Sequence, residues 1–153
     1  MANTYTQIHI QAVVATKFRK AQIDPIWEKR LYEYLIGIFH ACQHKVLAIN
    51  GMPDHLHVLF GFRPTQSLSD LMQQVKASSS KWINEERLTP FKFAWQEGYG
   101  AFSYTKSDVP KVIRYIENQK VHHERKPFLP EYRRMLENLE VDFETKYIFK
   151  EPE

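Results

Sequence analysis

Residues 44–62, HKVLAINGMPDHLHVLFGF, carry two short apolar runs, 46–49 and 56–60, on either side of the turn-rich NGMPD. Runs this brief, split by Asn, Gly, Pro and Asp, suit two adjacent antiparallel strands. The segments around them have a different period. Upstream, Asp24 is a good N-cap, Pro25 suits the first helical position, and Trp27, Leu31, Tyr34, Leu35, Ile38, Phe39 and Cys42 recur at helical spacing, so a helix is expected to about His44. Downstream, TQSLSDLMQQVKASSSKWINEERL places Leu68, Leu71, Met72, Val75, Ser79, Trp82 and Ile83 on one helical face, and Ser67 with Asp70 resembles a capping box. A hairpin held between two long amphipathic helices commits the chain to a sheet with helical connections.

The ends of the chain complete that sheet. YTQIHIQAVVAT alternates, with Tyr5, Gln7 and His9 on one side and Ile8, Ile10 and Ala12 on the other, and reads as a first strand. FKFAWQEGYGAFSYT is aromatic and glycine-punctuated, and reads as a loop leading into a last strand around 100–105. Gly98 and Gly100 there permit close backbone approach or positive φ. A third helix is expected from near Asp108, with Pro110 in its first turn, through KVIRYIENQKVHH; its apolar face is Val109, Val112, Ile113 and Ile116. A short helix around 131–138 and an extended, aromatic-tipped tail follow. Strand, helix, strand, strand, helix, strand is the order of a ferredoxin-like sandwich. The expected fold class is therefore α+β, an antiparallel sheet with helices on one face, plus a separate third helix and C-terminal tail. We expect one domain over 1–153, with 130–153 as its C-terminal helix and tail; no repeat or linker is visible.

Composition narrows the function more than it names it. With 153 residues, 43% of them hydrophobic, the chain can bury a core of its own. Cys42 is the only cysteine, which excludes an internal disulfide and a multi-cysteine zinc knuckle, and points to a reducing, cytoplasmic setting. No signal peptide or membrane span is expected. The net charge of +3, from 21 basic against 18 acidic residues, permits an anionic partner without demanding one. A Gly-rich phosphate loop, His-Glu-x-x-His and a nucleophile-elbow serine are all absent, which argues against nucleotide-driven, zincin and serine-hydrolase chemistry.

The polar anomaly is the histidine pair. Alternation puts His55 and His57 on one face of their strand and Leu56, Val58 and Phe60 on the other. If the helices cover the apolar face, both imidazoles point to the open side of the sheet. They are then either hydrogen-bonded structural histidines or two ligands of a shared metal. On the third helix, Tyr115, Gln119 and His122 share a stripe beside the apolar face, either as a solvated boundary or as the rest of that site. Phosphodiester cleavage by a tyrosine needs a positioned oxygen nucleophile and a cation on the scissile phosphate. Tyr115 and a metal at His55 and His57 would supply both. The covalent phosphotyrosine conserves the bond energy, so rejoining needs no nucleotide cofactor.

Four segments in this order, PDHLHVLF, SLSDLMQQVKASSSKWIN, FAWQEGYGAFSYT and VIRYIENQKVHH, resemble the single-tyrosine HUH transposases of small bacterial insertion sequences and their domesticated relatives associated with repetitive extragenic palindromes. The resemblance spans most of the chain and implies the same ferredoxin-like fold. Carried over by position, it implies His55, His57 and Gln119 as metal ligands and Tyr115 as nucleophile. It implies Mg2+ or Mn2+ as cofactor and hairpin-bearing single-stranded DNA as partner, cut through a 5′-phosphotyrosine that leaves a free 3′-OH, without ATP. Many members are homodimers in which the nucleophile helix of one protomer completes the histidine pair of the other. The palindrome-associated relatives can act as monomers, and the segment with Tyr132, Leu136, Leu139, Phe143 and 147–149 resembles their ending.

Two imidazoles and an amide carry no formal charge. Metal should therefore bind weakly until DNA adds its own oxygens, and a transition metal such as zinc should bind more tightly than magnesium. Lys76, Lys81, Arg114, Lys120, Arg125 and Lys126 are candidate phosphate contacts, Trp95, Tyr99, Phe102 and Tyr104 candidate stacking rings, and His122 a candidate for the phosphate or metal; solvated charges and core rings are the plainer reading of each. Two further functions fit the same residues: a catalytically silent hairpin-binding module, and a metallohydrolase in which water attacks.

Overall fold

The computed structural model describes residues 4–17, 22–123 and 128–138, without the side chains of His122, His123 and Phe128. Arg125, Lys126 and the tail with Leu139, Phe143 and 147–149 therefore lie outside the described residues.

The elements follow the expected order: β1 (His9–Ala15), α1 (Pro25–Ala41), β2 (Lys45–Met52), β3 (His55–Gly61), α2 (Leu68–Glu85), β4 (Gly100–Tyr104), a 3-10 turn (Lys106–Asp108), α3 (Val109–Glu117), α4 (Gln119–His123) and α5 (Phe128–Asn138). The four strands pair antiparallel in the order β2-β3-β1-β4. The two caps form as their sequences dictate. Asp24 accepts from the Ile26 amide and Ser67 from the Asp70 amide, each taking up an amide that the first helical turn leaves unpaired. α1 ends at Ala41, short of His44, because Gln43 turns to φ 67° and the His44 amide closes back on the Phe39 carbonyl. His44 is buried there, bonded to Gln66 Oε1 and stacked on Phe62.

Alternation builds the main core. Ile10, Ala12 and Val14 of β1 and Leu56, Val58 and Phe60 of β3 face α1 (Trp27, Leu31, Leu35, Phe39) and α2 (Leu71, Met72, Val75, Ile83). Fully burying one such side chain stabilises the fold by about 1.5–3 kcal/mol.

The opposite face is not open, which corrects the sequence expectation. Val109, Val112 and Ile116 of α3 pack on Ala48 and Leu59, while Tyr132 and Leu136 of α5 pack on Val13, Ala15 and Phe102. The reason lies in β1 and β3, which present apolar residues on both faces, so each face needs a cover. The third helix also differs from expectation. It breaks at Asn118 (φ −95°, ψ 15°), so Tyr115 lies on α3 and Gln119 starts α4. Two glycines permit close approaches. A Cβ on Gly51 would lie 2.2 Å from the His55 carbonyl oxygen, and one on Gly100 2.4 Å from Tyr132 Oη. The first lets the β2–β3 hairpin close, and the second seats α5 on the sheet. Among the described residues, no helix is long and apolar enough to cross a membrane.

Candidate active site

β3 and its register with β1 and β2 fix the histidines. His57 lies opposite Val13 and Asn50, and His55 opposite Ala15 and Met52. Both rings are fully buried, set edge to face with centroids 5.3 Å apart. Each Nδ1 has an oxygen partner: Asp54 Oδ1 at 2.8 Å from His55, and Gln11 Oε1 at 2.7 Å from His57. An amide oxygen only accepts, so His57 donates from Nδ1; a carboxylate asks the same of His55. In the neutral rings both Nε2 atoms then carry lone pairs. Gln11 is itself oriented by donating from Nε2 to Tyr104 Oη at 2.8 Å.

Gln119, also fully buried, brings Oε1 to 3.3 Å from His55 Nε2. Two acceptors facing each other at that separation suit a cation shared between them, and an Nδ1–H held by an oxygen is the arrangement typical of metal-ligating histidines. Among the described residues no three His, Cys, Asp or Glu side chains gather as a metal site. An ion here would rest on two imidazoles and the Gln119 amide. That donor set fits a divalent metal.

Tyr115 stands over the same pair, its ring edge-on to His57 at 5.7 Å. Its hydroxyl donates to Glu131 Oε1, which lies 3.7 Å from His57 Nε2, and touches Met135 Sδ at 3.9 Å. Burial first, and then the Glu131 charge, hold the phenol well above the ordinary tyrosine range, so it stays protonated at neutral pH. A cavity of about 380 Å3 opens beside Tyr115, lined by Gln11, Tyr104, Asp108, Lys111 and Met135 among others.

His55, His57, Tyr115 and Gln119 thus converge within one chain. Gln11, Asp54 and Glu131 join them, and sequence reasoning missed all three. Asp54 is adjacent to His55, and Gln11 is a polar residue inside an otherwise apolar strand, so two of them left a signal; Glu131 left none.

The expected DNA contacts fare differently. Lys76 donates to the Gln96 and Gly98 carbonyls at 2.7 and 2.8 Å, and burial lowers its pKa against the pull of Glu97. Lys120 donates to Glu28, Gly51 and Asn50. Both lysines are therefore engaged within the protein. Lys81 is exposed beside Glu85, and Arg114 is exposed. Trp95 and Phe102 are buried, the first donating to Ser79 Oγ, as the plainer reading of core rings expects; Tyr99 is half-buried against the main core.

A family model described as "Transposase IS200 like" matches residues 4–119. The chain belongs to the IS200-like transposase family. Sequence comparison with curated proteins gives no significant match. Among solved structures, this transposase is similar to a Deinococcus radiodurans R1 protein assigned as a transposase, at 20% identity and TM-score 0.61 over 78% of this chain and 95% of that one. It is also similar to a REP-associated tyrosine transposase bound to a REP hairpin, at 16% identity and TM-score 0.60 over 91% and 86% of the two chains. These likenesses establish the fold.

Proposed function

We propose that this transposase cuts and rejoins single-stranded DNA at hairpin-flanked sites, with Tyr115 as the nucleophile. His55, His57 and Gln119 would hold a divalent metal, Mg2+ or Mn2+. What supports this reading most is that the Tyr115 ring lies against His57 and Gln119 Oε1 against His55, the two imidazoles whose Nδ1 atoms are already engaged. The family assignment agrees with it, and so does the hairpin bound by the REP-associated neighbour.

Each residue has a distinct task. Gln11 and Asp54 set the histidine tautomers, and Gln119 adds an uncharged oxygen. When bound, the metal supplies a cation for a non-bridging oxygen of the scissile phosphate, the charge stabilisation that phosphoryl transfer requires. Tyr115 Oη attacks phosphorus, its proton leaves towards Glu131, and the P–O3′ bond breaks with its electron pair on O3′, which takes up a proton from solvent. The product pair is a 5′-phosphotyrosine and a free 3′-OH. Attack by a 3′-OH in the reverse sense rejoins the strand and returns the proton to the phenol.

Incubation of the protein with hairpin-bearing single-stranded oligonucleotides and Mn2+ should give a slower band on a denaturing gel, lost on Tyr115→Phe. Tight hairpin binding with no adduct in any divalent metal would mark a binding module instead.

A further inference from the structure

Gln119 owes its place to contacts made on either side of it. α3 stops at Glu117 and α4 starts at Gln119, so no continuous helix carries Gln119 on from Tyr115. The carbonyl before the break is held instead by a side chain of the sheet: Asn50 donates from Nδ2 to the Glu117 oxygen at 3.1 Å. The side chain after Gln119 is held by the same stretch. Lys120 Nζ donates to the Gly51 carbonyl at 2.8 Å and to Asn50 Oδ1 at 3.2 Å, and pairs with Glu28 Oε1 at 2.8 Å. Asn50 is braced in turn, accepting at Oδ1 from the Gly51 amide at 2.9 Å and from Tyr32 at 3.4 Å.

The position of this network matters. β2 is an edge strand, and its residues 50 and 51 pair with His57 and Leu56 of β3. Lys120 therefore reaches from α4 past the β2 edge to Glu28 on α1, with all three of its ammonium hydrogens engaged. The strand that frames the histidine pair is the strand to which the backbone around Gln119 is tied.

We infer that Asn50, the Gly51 carbonyl and Lys120 form a clamp that fixes Gln119 Oε1 against His55 Nε2, which makes Lys120 a positioning residue for metal binding rather than a contact to DNA phosphate. The inference rests on the reading of Gln119 as a metal ligand. Electrostatics gives the test its sign. A lysine acting only as a nearby charge opposes a bound cation, so removing it strengthens metal binding. A lysine acting as a clamp does the opposite, because a ligand released from its supporting contacts binds less well, typically by about 10–100-fold.

The experiment is a Co2+ titration of the full chain without DNA, followed by visible absorption, since Co2+ suits imidazole and amide donors. Wild type is compared with Lys120→Met, Lys120→Arg, Gln119→Ala and the Lys120→Met/Gln119→Ala pair, with folding checked by circular dichroism. Lys120→Met should weaken Co2+ binding by about tenfold. Lys120→Arg, which keeps charge and donors, should retain most of the affinity. The double variant should bind no worse than Gln119→Ala alone, because the clamp then has nothing left to position. Should Lys120→Met fail to fold, Asn50→Ala, which removes the tie to Glu117, should show the same loss. Undiminished affinity in Lys120→Met, where Gln119→Ala is weakened, overturns the clamp alone, and so do additive losses in the double variant. If Gln119→Ala matches wild type, or wild type takes up no Co2+, the ligand assignment and the clamp fall together.

Discussion

Replacing Gln11 with leucine probes how the protein prepares its histidine pair. Gln11 is 1% exposed and spends both ends of its amide, accepting from His57 Nδ1 at 2.7 Å and donating to Tyr104 Oη at 2.8 Å. Leucine is apolar and of broadly similar size, so the strand keeps its backbone pairing while the polar contacts go. The His57 Nδ1–H is then stranded in a buried site, at a cost of about 1–3 kcal/mol. Burial of the leucine side chain, about 1.5–3 kcal/mol, offsets most of that, so the melting temperature should move by only a few degrees. The site should suffer far more. Without its acceptor, His57 can place its proton on Nε2, the atom needed for the metal. Affinity for Mn2+ or Co2+ should fall by about 10–100-fold, or about 1.4–2.7 kcal/mol. Gln11→Glu, which restores an acceptor at Nδ1, should bind metal at least as well as wild type. Metal titration of the three proteins checks this. Metal affinity in Gln11→Leu within about twofold of wild type would refute the tautomer argument.

Other perturbations test the neighbouring contacts. The Glu131 charge and hydrogen bond add to burial in raising the Tyr115 pKa, so Glu131→Gln should lower it. Glu131 is also the group towards which the Tyr115 proton leaves, so adduct formation near neutral pH should slow in Glu131→Gln and recover as rising pH ionises the phenol unaided; an unchanged pH–rate profile would separate Glu131 from the nucleophile. Gly51→Ala forces a Cβ to within 2.2 Å of the His55 carbonyl oxygen, which is backbone and cannot turn aside. It should destabilise the fold by at least about 1–3 kcal/mol in urea denaturation and weaken metal binding through His55. Phe39→Ala, at a fully buried position packed against Phe60, should cost about 3–5 kcal/mol of stability and leave the metal affinity of the folded protein unchanged.

The sheet and its two long helices were legible because each element buries one face, and period alone reports which residues face inward. Asp24 and Ser67 marked helix starts by the mechanism that makes them caps. His55 and His57 stood out as polar residues at alternate positions of an apolar run. The covered second face had a quieter sign. Alternation describes residues 5–10, whereas residues 12–15, Ala-Val-Val-Ala, are apolar on both sides, the pattern of a strand covered on both faces, and α5 packs there. Glu131 could not be found from sequence, because its meeting with Tyr115 and His57 depends on how α5 is seated over Gly100. Nor does a lysine in a sequence declare its partner. Lys76 and Lys120 read in sequence as solvated charges or candidate phosphate contacts, and neither residue signals that its ammonium reaches the carbonyls of Gln96 and Gly98, or of Gly51.

The proposed reaction requires Tyr115 to become covalently bound to DNA. Its most direct test is mass-spectrometric mapping of the nucleotide-bearing peptide after incubation with hairpin-bearing single-stranded DNA and Mn2+, followed by nuclease and protease digestion. The account predicts a 5′-phosphonucleotide on Tyr115. A nucleotide on Tyr104 or Tyr132, or cleaved DNA with no protein-linked nucleotide at all, would contradict it.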